Sequence, residues 1–220
     1  MKILKDSLLL LLLISAIVLY SCKKKANELV VRGKIFDPNT NAYVEGAKVK
    51  LLASKVESGI YNSNYTEVSS VLTDSDGNFS FDFTEAKVAG YRITVTKDRY
   101  FGYSEDINSD QIVSGTAFSP TYSIYPEGYV KLEIENFVSY DSLDNVTYSF
   151  TSGYTECDGC CDNTLFHGAG AAFHDTLICL TRGNQNVSVA WNVTKHNITT
   201  LHSDTFYCNA FDTVYYKINY

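Results

Sequence analysis

Proline, methionine and tryptophan are scarce in this chain of 220 residues, which has three prolines, one methionine and one tryptophan. Common catalytic motifs are absent as well: the sequence contains no G-x-S-x-G, no H-E-x-x-H, no phosphate-binding loop and no G-x-G-x-x-G. The four histidines are scattered, so their spacing defines no catalytic triad. These absences predict that the protein is not an enzyme and has no catalytic residues and no cofactor.

An excess of basic residues is also lacking. Lysine and arginine number 18 and aspartate and glutamate 25, which gives a net charge of −7. Residues 1–21 contain two of the bases and one of the acids, so the rest of the chain has a net charge of −8. Nucleic-acid binding depends on clustered lysine and arginine. Nucleic acid is therefore not an expected partner.

Aromatic residues are plentiful, with 17 tyrosines and 12 phenylalanines. Such residues favour β-strands, where their side chains pack across neighbouring strands. About 199 residues follow the first 21, and this length suits two domains of about 100 residues each. Composition and length predict an all-β chain of two tandem antiparallel β-sandwich domains.

A hydrophobic run from Leu8 to Tyr20 lies near the start of the chain, after Lys2 and Lys5. About thirteen residues are too few for a helix that crosses a bilayer, and they match the apolar core of a signal peptide. The run therefore predicts an export signal, with a short anchor helix as the alternative.

The run ends in Leu19-Tyr20-Ser21-Cys22. These residues resemble the lipobox of bacterial lipoproteins, although Tyr20 stands where a small residue is usual. The resemblance implies a signal peptide over residues 1–21, lipid on Cys22 and a membrane tether over residues 22–28. The expected location is the cell envelope, in the outer membrane of a Gram-negative bacterium, with the leaflet left open. An ordinary secretory signal is the alternative, but no A-x-A site precedes the mature chain.

Apolar and polar residues alternate in short segments from Leu29 onward, most clearly where Phe79, Phe81 and Phe83 alternate with polar residues. Such alternation is typical of strands with one buried face. The Pro126-Glu127-Gly128 segment marks the predicted boundary between two sandwiches. The predicted strands cover residues 29–36, 47–53, 66–73, 78–83, 91–96 and 121–125, then 130–135, 146–151, 176–181, 187–194, 204–208 and 213–220.

Four segments of the first half carry a family pattern. They are Val31-Arg32-Gly33-Lys34-Ile35-Phe36-Asp37, Val44-Glu45-Gly46-Ala47-Lys48-Val49-Lys50-Leu51, Thr73-Asp74-Ser75-Asp76-Gly77-Asn78-Phe79-Ser80-Phe81 and Tyr91-Arg92-Ile93-Thr94-Val95-Thr96-Lys97-Asp98-Arg99-Tyr100. They resemble motifs of the carboxypeptidase-regulatory-like family, with Ile35 for a usual valine and Arg99 for a usual glycine. The resemblance implies a transthyretin-like β-sandwich at residues 29–126 without catalytic residues, and it implies no ligand.

The segment Asp74-Ser75-Asp76-Gly77-Asn78 is predicted to be a tight hairpin turn, because Asp and Gly tolerate positive φ and aspartate side chains cap turns. A calcium loop is the competing interpretation. An EF-hand loop has its glycine later and a glutamate at the position of Phe83. The sequence therefore favours a turn and predicts no metal.

In the second half, at residues 127–220, Val130, Leu132 and Ile134 share one face of a predicted strand. Glu133 and Glu135 lie on the other face and are predicted to be exposed, which argues against acid–base catalysis because that needs a cleft. Trp191 shares a face with neighbouring valines and is predicted to be a core residue. The second half is predicted to be a cysteine-containing β-sandwich.

Five cysteines remain after Cys22, and all lie in the second half of an exported chain, where disulfides are favoured. Cys179 and Cys208 have strand-like surroundings and are predicted to bond to each other. The Cys157-Asp158-Gly159-Cys160-Cys161 cluster is predicted to supply a local bond, with Cys157 and Cys160 as its partners and one thiol left over. A zinc site with a later histidine and a redox-active pair are the alternatives.

Six N-x-S/T triplets occur in the chain, and short β-turns generate such matches freely, so they do not predict glycosylation. Their asparagines are Asn64, Asn78, Asn145, Asn186, Asn192 and Asn197.

The sequence predicts an envelope-anchored, non-enzymatic structural or binding module. The alternative is a carbohydrate- or peptide-binding accessory lipoprotein, with exposed tyrosines and phenylalanines on its loops as the platform. A hydrolase is the third possibility and requires His167, His174 or His196 to meet a nucleophile. The protein or glycan partner stays undefined at this point.

Overall fold

The computed structural model describes residues 28–57, 60–84, 87–153 and 157–220. The predicted signal peptide, Cys22 and nearly all of the tether lie outside these residues. Within them the ordered elements are β-strands, with one short 3-10 helix at Ser109–Gln111 and no α-helix. The all-β prediction is confirmed. No helix among the described residues is long and apolar enough to cross a membrane.

The first half forms two sheets that face each other. One has the order β2-β1-β5, with β8 parallel to β1, and the other has the order β4-β3-β6-β7. Their inner faces enclose a core of apolar side chains that includes Val31, Leu51 and Ile93, each with no exposed surface. The strands are β1 (Glu28–Asp37), β2 (Ala42–Tyr43), β3 (Lys48–Glu57), β4 (Ile60–Leu72), β5 (Asn78–Thr84), β6 (Val88–Thr96), β7 (Tyr103–Asn108) and β8 (Thr121–Ser123).

The turn between β4 and β5 forms as predicted. Asp74 Oδ1 accepts hydrogen bonds from the backbone N–H groups of Asp76 (2.9 Å) and Asn78 (2.8 Å), and Gly77 has a φ of +69°. The carboxylate is thus used by the turn itself. Among the described residues no group of three potential metal ligands occurs, at this turn or elsewhere.

The second half also forms two sheets. One has the order β11-β10-β13-β14, and the other has the order β12-β9-β15, with β15 parallel to β9. Short β11 was not predicted, and β14 begins six residues before the predicted strand. The strands are β9 (Glu127–Glu135), β10 (Asn145–Ser152), β11 (Phe166–Ala169), β12 (His174–Arg182), β13 (Gln185–Lys195), β14 (Ile198–Cys208) and β15 (Thr213–Asn219).

Two separate hydrophobic cores result. The first runs along the chain from Leu29 to Ile124 and the second from Val130 to Ile218, with no residue in common. We propose on this ground that the chain has two domains with a boundary at residue 126. Trp191 lies partly buried against the second core, with its ring stacked on that of His202 at 5.6 Å.

Candidate functional site

The cysteines form two disulfides, Cys157–Cys160 and Cys161–Cys179. The prediction that Cys179 bonds to Cys208 is therefore wrong, because Cys179 bonds to Cys161. Cys160 makes a parallel bridge with Leu180, and the Cys161 N–H donates to the Leu180 carbonyl at 2.8 Å, so the 157–161 segment lies beside β12. Cys208 ends β14, which belongs to the opposite sheet.

Cys208 is a free thiol with no exposed surface. Burial raises its pKa to about 11, and the charge of Asp212 adds to this effect. A thiol of that pKa is almost entirely protonated at neutral pH, so it is a weak nucleophile. Both thiols of the C-x-x-C pair are used in a disulfide, so neither Cys157 nor Cys160 is a thiolate that could bind zinc.

The histidines named in the hydrolase hypothesis lie on three different elements. His167 is exposed on β11, His174 begins β12, and His196 lies in the β13–β14 turn with its ring against that of Tyr140. His174 Nε2 is 3.4 Å from Glu133 Oε1. The structure does not bring these three histidines together.

Glu133 and Glu135 lie on the outer face of the β12-β9-β15 sheet, as predicted. Lys217 on β15 lies between them, 2.8 Å from Glu133 Oε1 and 2.6 Å from Glu135 Oε2, and the Tyr215 hydroxyl donates to Glu133 at 2.7 Å. The hydrogen bonds from Lys217 and Tyr215 lower the pKa of Glu133 to about 2. Glu133 therefore stays ionised at neutral pH, whereas a general acid would need a raised pKa.

The sheet that contains β10, β13 and β14 has a different outer face. Its outward positions alternate with buried ones such as Val146, Val187 and Val189, and none of them is Asp, Glu, Lys or Arg. We call this surface the neutral face. It consists of Asn145, Thr147, Ser149, Ser152, Asn186, Ser188, Ala190, Asn192, Thr194, Thr199, Leu201, Ser203, Thr205 and Tyr207.

Hydroxyl groups on the neutral face are hydrogen-bonded across the strands. Ser152 donates to Ser188 at 2.9 Å, and the Ser188 and Thr205 hydroxyls are 2.8 Å apart. Thr194 and Thr199 make a similar pair at 2.8 Å. These bonds link side chains of neighbouring strands across the exposed surface.

A buried polar cluster lies where β9 ends. Asn136 Nδ2 donates to Asp144 Oδ2 and to the Gly170 carbonyl, each at 3.0 Å, and its Oδ1 accepts from Lys195 Nζ at 2.9 Å. Asp144 has no exposed surface and also accepts the Tyr140 N–H at 2.7 Å. Burial acts to raise the pKa of Asp144, but these hydrogen bonds and the Lys195 charge outweigh it and lower the pKa.

This cluster holds a loop, residues 136–144, whose apolar side chains are exposed. Phe137 is 68 % exposed, Val138 70 %, Tyr140 59 % and Leu143 73 %. Sequence reasoning missed both the cluster and the loop, because Lys195 lies 59 residues from Asn136. The local signal in the sequence was a pair of nearby aspartates, Asp141 and Asp144. Asp141 Oδ1 accepts a hydrogen bond from the Leu143 N–H at 2.7 Å.

Contacts between the two halves lie around residue 126. The Gly183 N–H donates to the Pro126 carbonyl at 2.7 Å, and Asn39 Nδ2 donates to the Gly183 carbonyl at 2.8 Å. The Arg182 guanidinium lies 3.8 Å from the centroid of the Tyr125 ring. Arg99 donates to the Phe211 carbonyl, and the Tyr100 ring lies 5.4 Å from that of Phe211. We call these contacts the seam.

No family model and no curated protein matches this chain. Solved structures similar to it include the TIE protein of Bacillus anthracis (13 % identity, 88 % of this chain and 34 % of that one, TM-score 0.36). A streptococcal ancillary pilin (15 %, 89 % and 63 %, TM-score 0.36) and the shaft pilin SpaA of Lactobacillus rhamnosus GG (9 %, 88 % and 98 %, TM-score 0.34) are others. The chain thus spans about a third of the first protein and less than two thirds of the second. The function proposed below rests on the residues of this chain.

Proposed function

We propose that the protein is an envelope-anchored, non-enzymatic module that holds a binding end away from the membrane. The arrangement of the two ends carries this proposal. β1 runs from Glu28, next to the tether, to Asp37, two residues before the seam residue Asn39. β9 starts at Glu127 in the seam and ends at Glu135, next to the exposed loop. Each strand is about 30 Å long, so the tether joins the first half, and the exposed loop the second half, at the strand end remote from the seam.

Lipid on Cys22 is part of this proposal. The lipobox-like segment supports it, and the expected site is the outer membrane of a Gram-negative bacterium. Replacing Cys22 with alanine in the producing cells should block lipid attachment and cleavage before residue 22, so the variant should accumulate with residues 1–21 still attached. Cys208→Ala is the control, because Cys208 is buried far along the chain and should leave the processing unchanged. A Cys22→Ala protein processed to the same length as the wild type would contradict the lipid anchor.

Membership of the first half in the carboxypeptidase-regulatory-like family is also a proposal. The turn made by Asp74, Gly77 and Asn78 supports it. Arg99, which stands where the family has glycine, has a φ of +60°, a left-handed conformation that glycine adopts most easily. Its side chain contacts Phe211 in the seam, and this contact offsets part of the backbone strain.

A binding role at the far end is the second candidate, and the exposed loop favours it. Phe137 and Tyr140 are the aromatic loop residues that a carbohydrate- or peptide-binding accessory protein would use. A photoreactive phenylalanine analogue at position 138 in the intact cell should form a defined cross-link with an envelope component. The same analogue at Leu72, an exposed apolar residue of the first half, is the control and should give no such product.

A further inference from the structure

The neutral face is unusual among the sheet surfaces described. The outer face of the β12-β9-β15 sheet carries Glu133, Glu135 and Lys217. In the first half, one sheet carries the ion pairs Arg92–Asp106 and Lys50–Glu67, and the other carries Arg32–Asp82. Although the chain is acidic, its charged side chains occur on the outer faces of the other sheets and not on the neutral face.

The alternation of strands explains why asparagine and hydroxyl residues collect there. Residues two apart in a strand point to the same side. The pairs Asn145/Thr147, Asn186/Ser188 and Asn192/Thr194 are therefore N-x-S/T triplets whose polar side chains all lie on the neutral face. Half of the six triplets in the sequence come from this one surface, not from turns.

We propose that the neutral face binds a neutral polysaccharide. Hydroxyl and amide groups both donate and accept hydrogen bonds, as sugar hydroxyls do. No cationic side chain is present to attract an anionic polymer. Three strands and β11, which adds His167 and Ala169 beside Thr147 and Asn145, give a surface about 14 Å wide, and five outward positions along β13 give a length of about 27 Å. This area accommodates an extended chain of several sugar units.

Two exposed side chains give the apolar part of the surface. Leu201 is 74 % exposed beside Asn192, and Tyr207 is 51 % exposed beside Asn186. Sugar rings have apolar faces that pack on such side chains, and the tyrosine hydroxyl adds a hydrogen-bonding group at the edge. A second copy of this chain fits less well, because stacking two hydroxyl-rich faces would bury polar groups without matched partners.

The proposal goes beyond the proposed function, because the neutral face is separate from the exposed loop, and it does not depend on lipid at Cys22. Polysaccharide binding and membrane attachment are therefore tested separately. Normal processing of Cys22→Ala would count against the anchor and leave the neutral face unaffected, and failure of polysaccharide binding would leave the anchor unaffected.

Affinity electrophoresis of the mature chain tests the proposal. Native gels containing dextran, laminarin, xylan, galactomannan or inulin are compared with gels containing alginate or polygalacturonate. We expect retardation in at least one neutral polysaccharide and none in the anionic ones. Asn186→Asp and Asn192→Asp keep the side-chain volume but place negative charge on the neutral face, and each should weaken the binding at least tenfold.

Asn219→Asp is the matched control, since Asn219 is exposed on β15 in the charged sheet, and it should leave the retardation unchanged. Circular dichroism confirms that the variants fold. Absence of retardation in all five neutral polysaccharides overturns the proposal, as does binding that Asn186→Asp and Asn192→Asp leave intact. Sedimentation could also show that the wild type is a dimer and that both variants are monomers. This result would assign the neutral face to a second copy of the chain and would overturn the proposal.

Discussion

Lys195 Nζ lies 3.8 Å from Oδ2 of Asp144, a carboxylate with no exposed surface. The two residues belong to different segments, since Asp144 precedes β10 and Lys195 ends β13. Asp144 Oδ1 has no hydrogen-bond partner. The lysine is thus the cation that compensates a buried negative charge at the base of the exposed loop.

Lys195→Met should destabilise the second half, because it leaves the Asp144 carboxylate buried without its cation. We expect the melting temperature to fall by about 5 °C or more in differential scanning calorimetry. Lys50→Met is the control, since its more exposed ion pair with Glu67 should change the melting temperature by less than about 2 °C. Adding Asp144→Asn to Lys195→Met should restore part of the loss, and equal effects of the two lysine variants would contradict this account.

Glu133 should make stability depend on pH in acid solution. Its pKa in the folded protein is about 2, below the ordinary glutamate value, because Lys217 and Tyr215 donate hydrogen bonds to it. The lowered pKa means that its stabilising contribution is fully present above about pH 4.5 and is lost as the pH falls toward about 2. Thermal unfolding of the wild type and Glu133→Gln, recorded between pH 6 and 2, should show curves that converge in acid. A constant gap between them would contradict the shift.

Cys161 and Cys179 should be linked in the purified protein, and Cys208 should be a thiol. The cross-link closes a segment of 18 residues, so replacing both cysteines with serine should lower the free energy of unfolding by about 3 kcal/mol. Non-reducing peptide mapping after alkylation in denaturant should find the Cys179 peptide joined to the 157–161 segment and Cys208 alkylated. A Cys179–Cys208 cross-link would show that the pairing is wrong.

Two glycines with similar φ separate backbone strain from steric contact. Gly77 has a φ of +69°, and an added Cβ would lie 2.5 Å from the Ile35 carbonyl oxygen. Gly46 has a φ of +68° with no atom within 4 Å of such a Cβ. Gly46→Ala should therefore cost about 1 kcal/mol of stability, and Gly77→Ala about 2–3 kcal/mol, in urea denaturation. Equal losses of stability in the two variants would contradict the close approach of Gly77 to the Ile35 carbonyl.

Local features of the fold could be predicted from the sequence, and contacts between distant segments could not. The Asp74–Asn78 turn and the outward position of Glu133 depend on neighbouring residues and strand alternation, so both were predicted. The disulfide pairing depends on which distant segment lies beside Cys179, and that segment is the one that contains Cys161. Cys179 and Cys208 both look strand-like, but β12 and β14 belong to opposite sheets.

The candidate site shows the same division. The alternation of polar and apolar residues along β13 indicates one polar side of that strand. The extent of the neutral face depends on the pairing of β10, β13 and β14, which the sequence does not indicate. Asn136, Asp144 and Lys195 carry no local pattern, because each is an ordinary polar residue at the end of a strand. Their contact arises only when the ends of β9 and β13 meet.

Mass spectrometry of the mature N-terminus in the producing cells tests the central claim, that the protein is a lipid-anchored envelope module. The account predicts an N-terminal peptide that begins at Cys22 and carries a diacylglyceryl group. Globomycin, which inhibits the lipoprotein signal peptidase, should make the unprocessed chain accumulate. A mature chain that begins at another residue, or a Cys22 without lipid, would contradict the account.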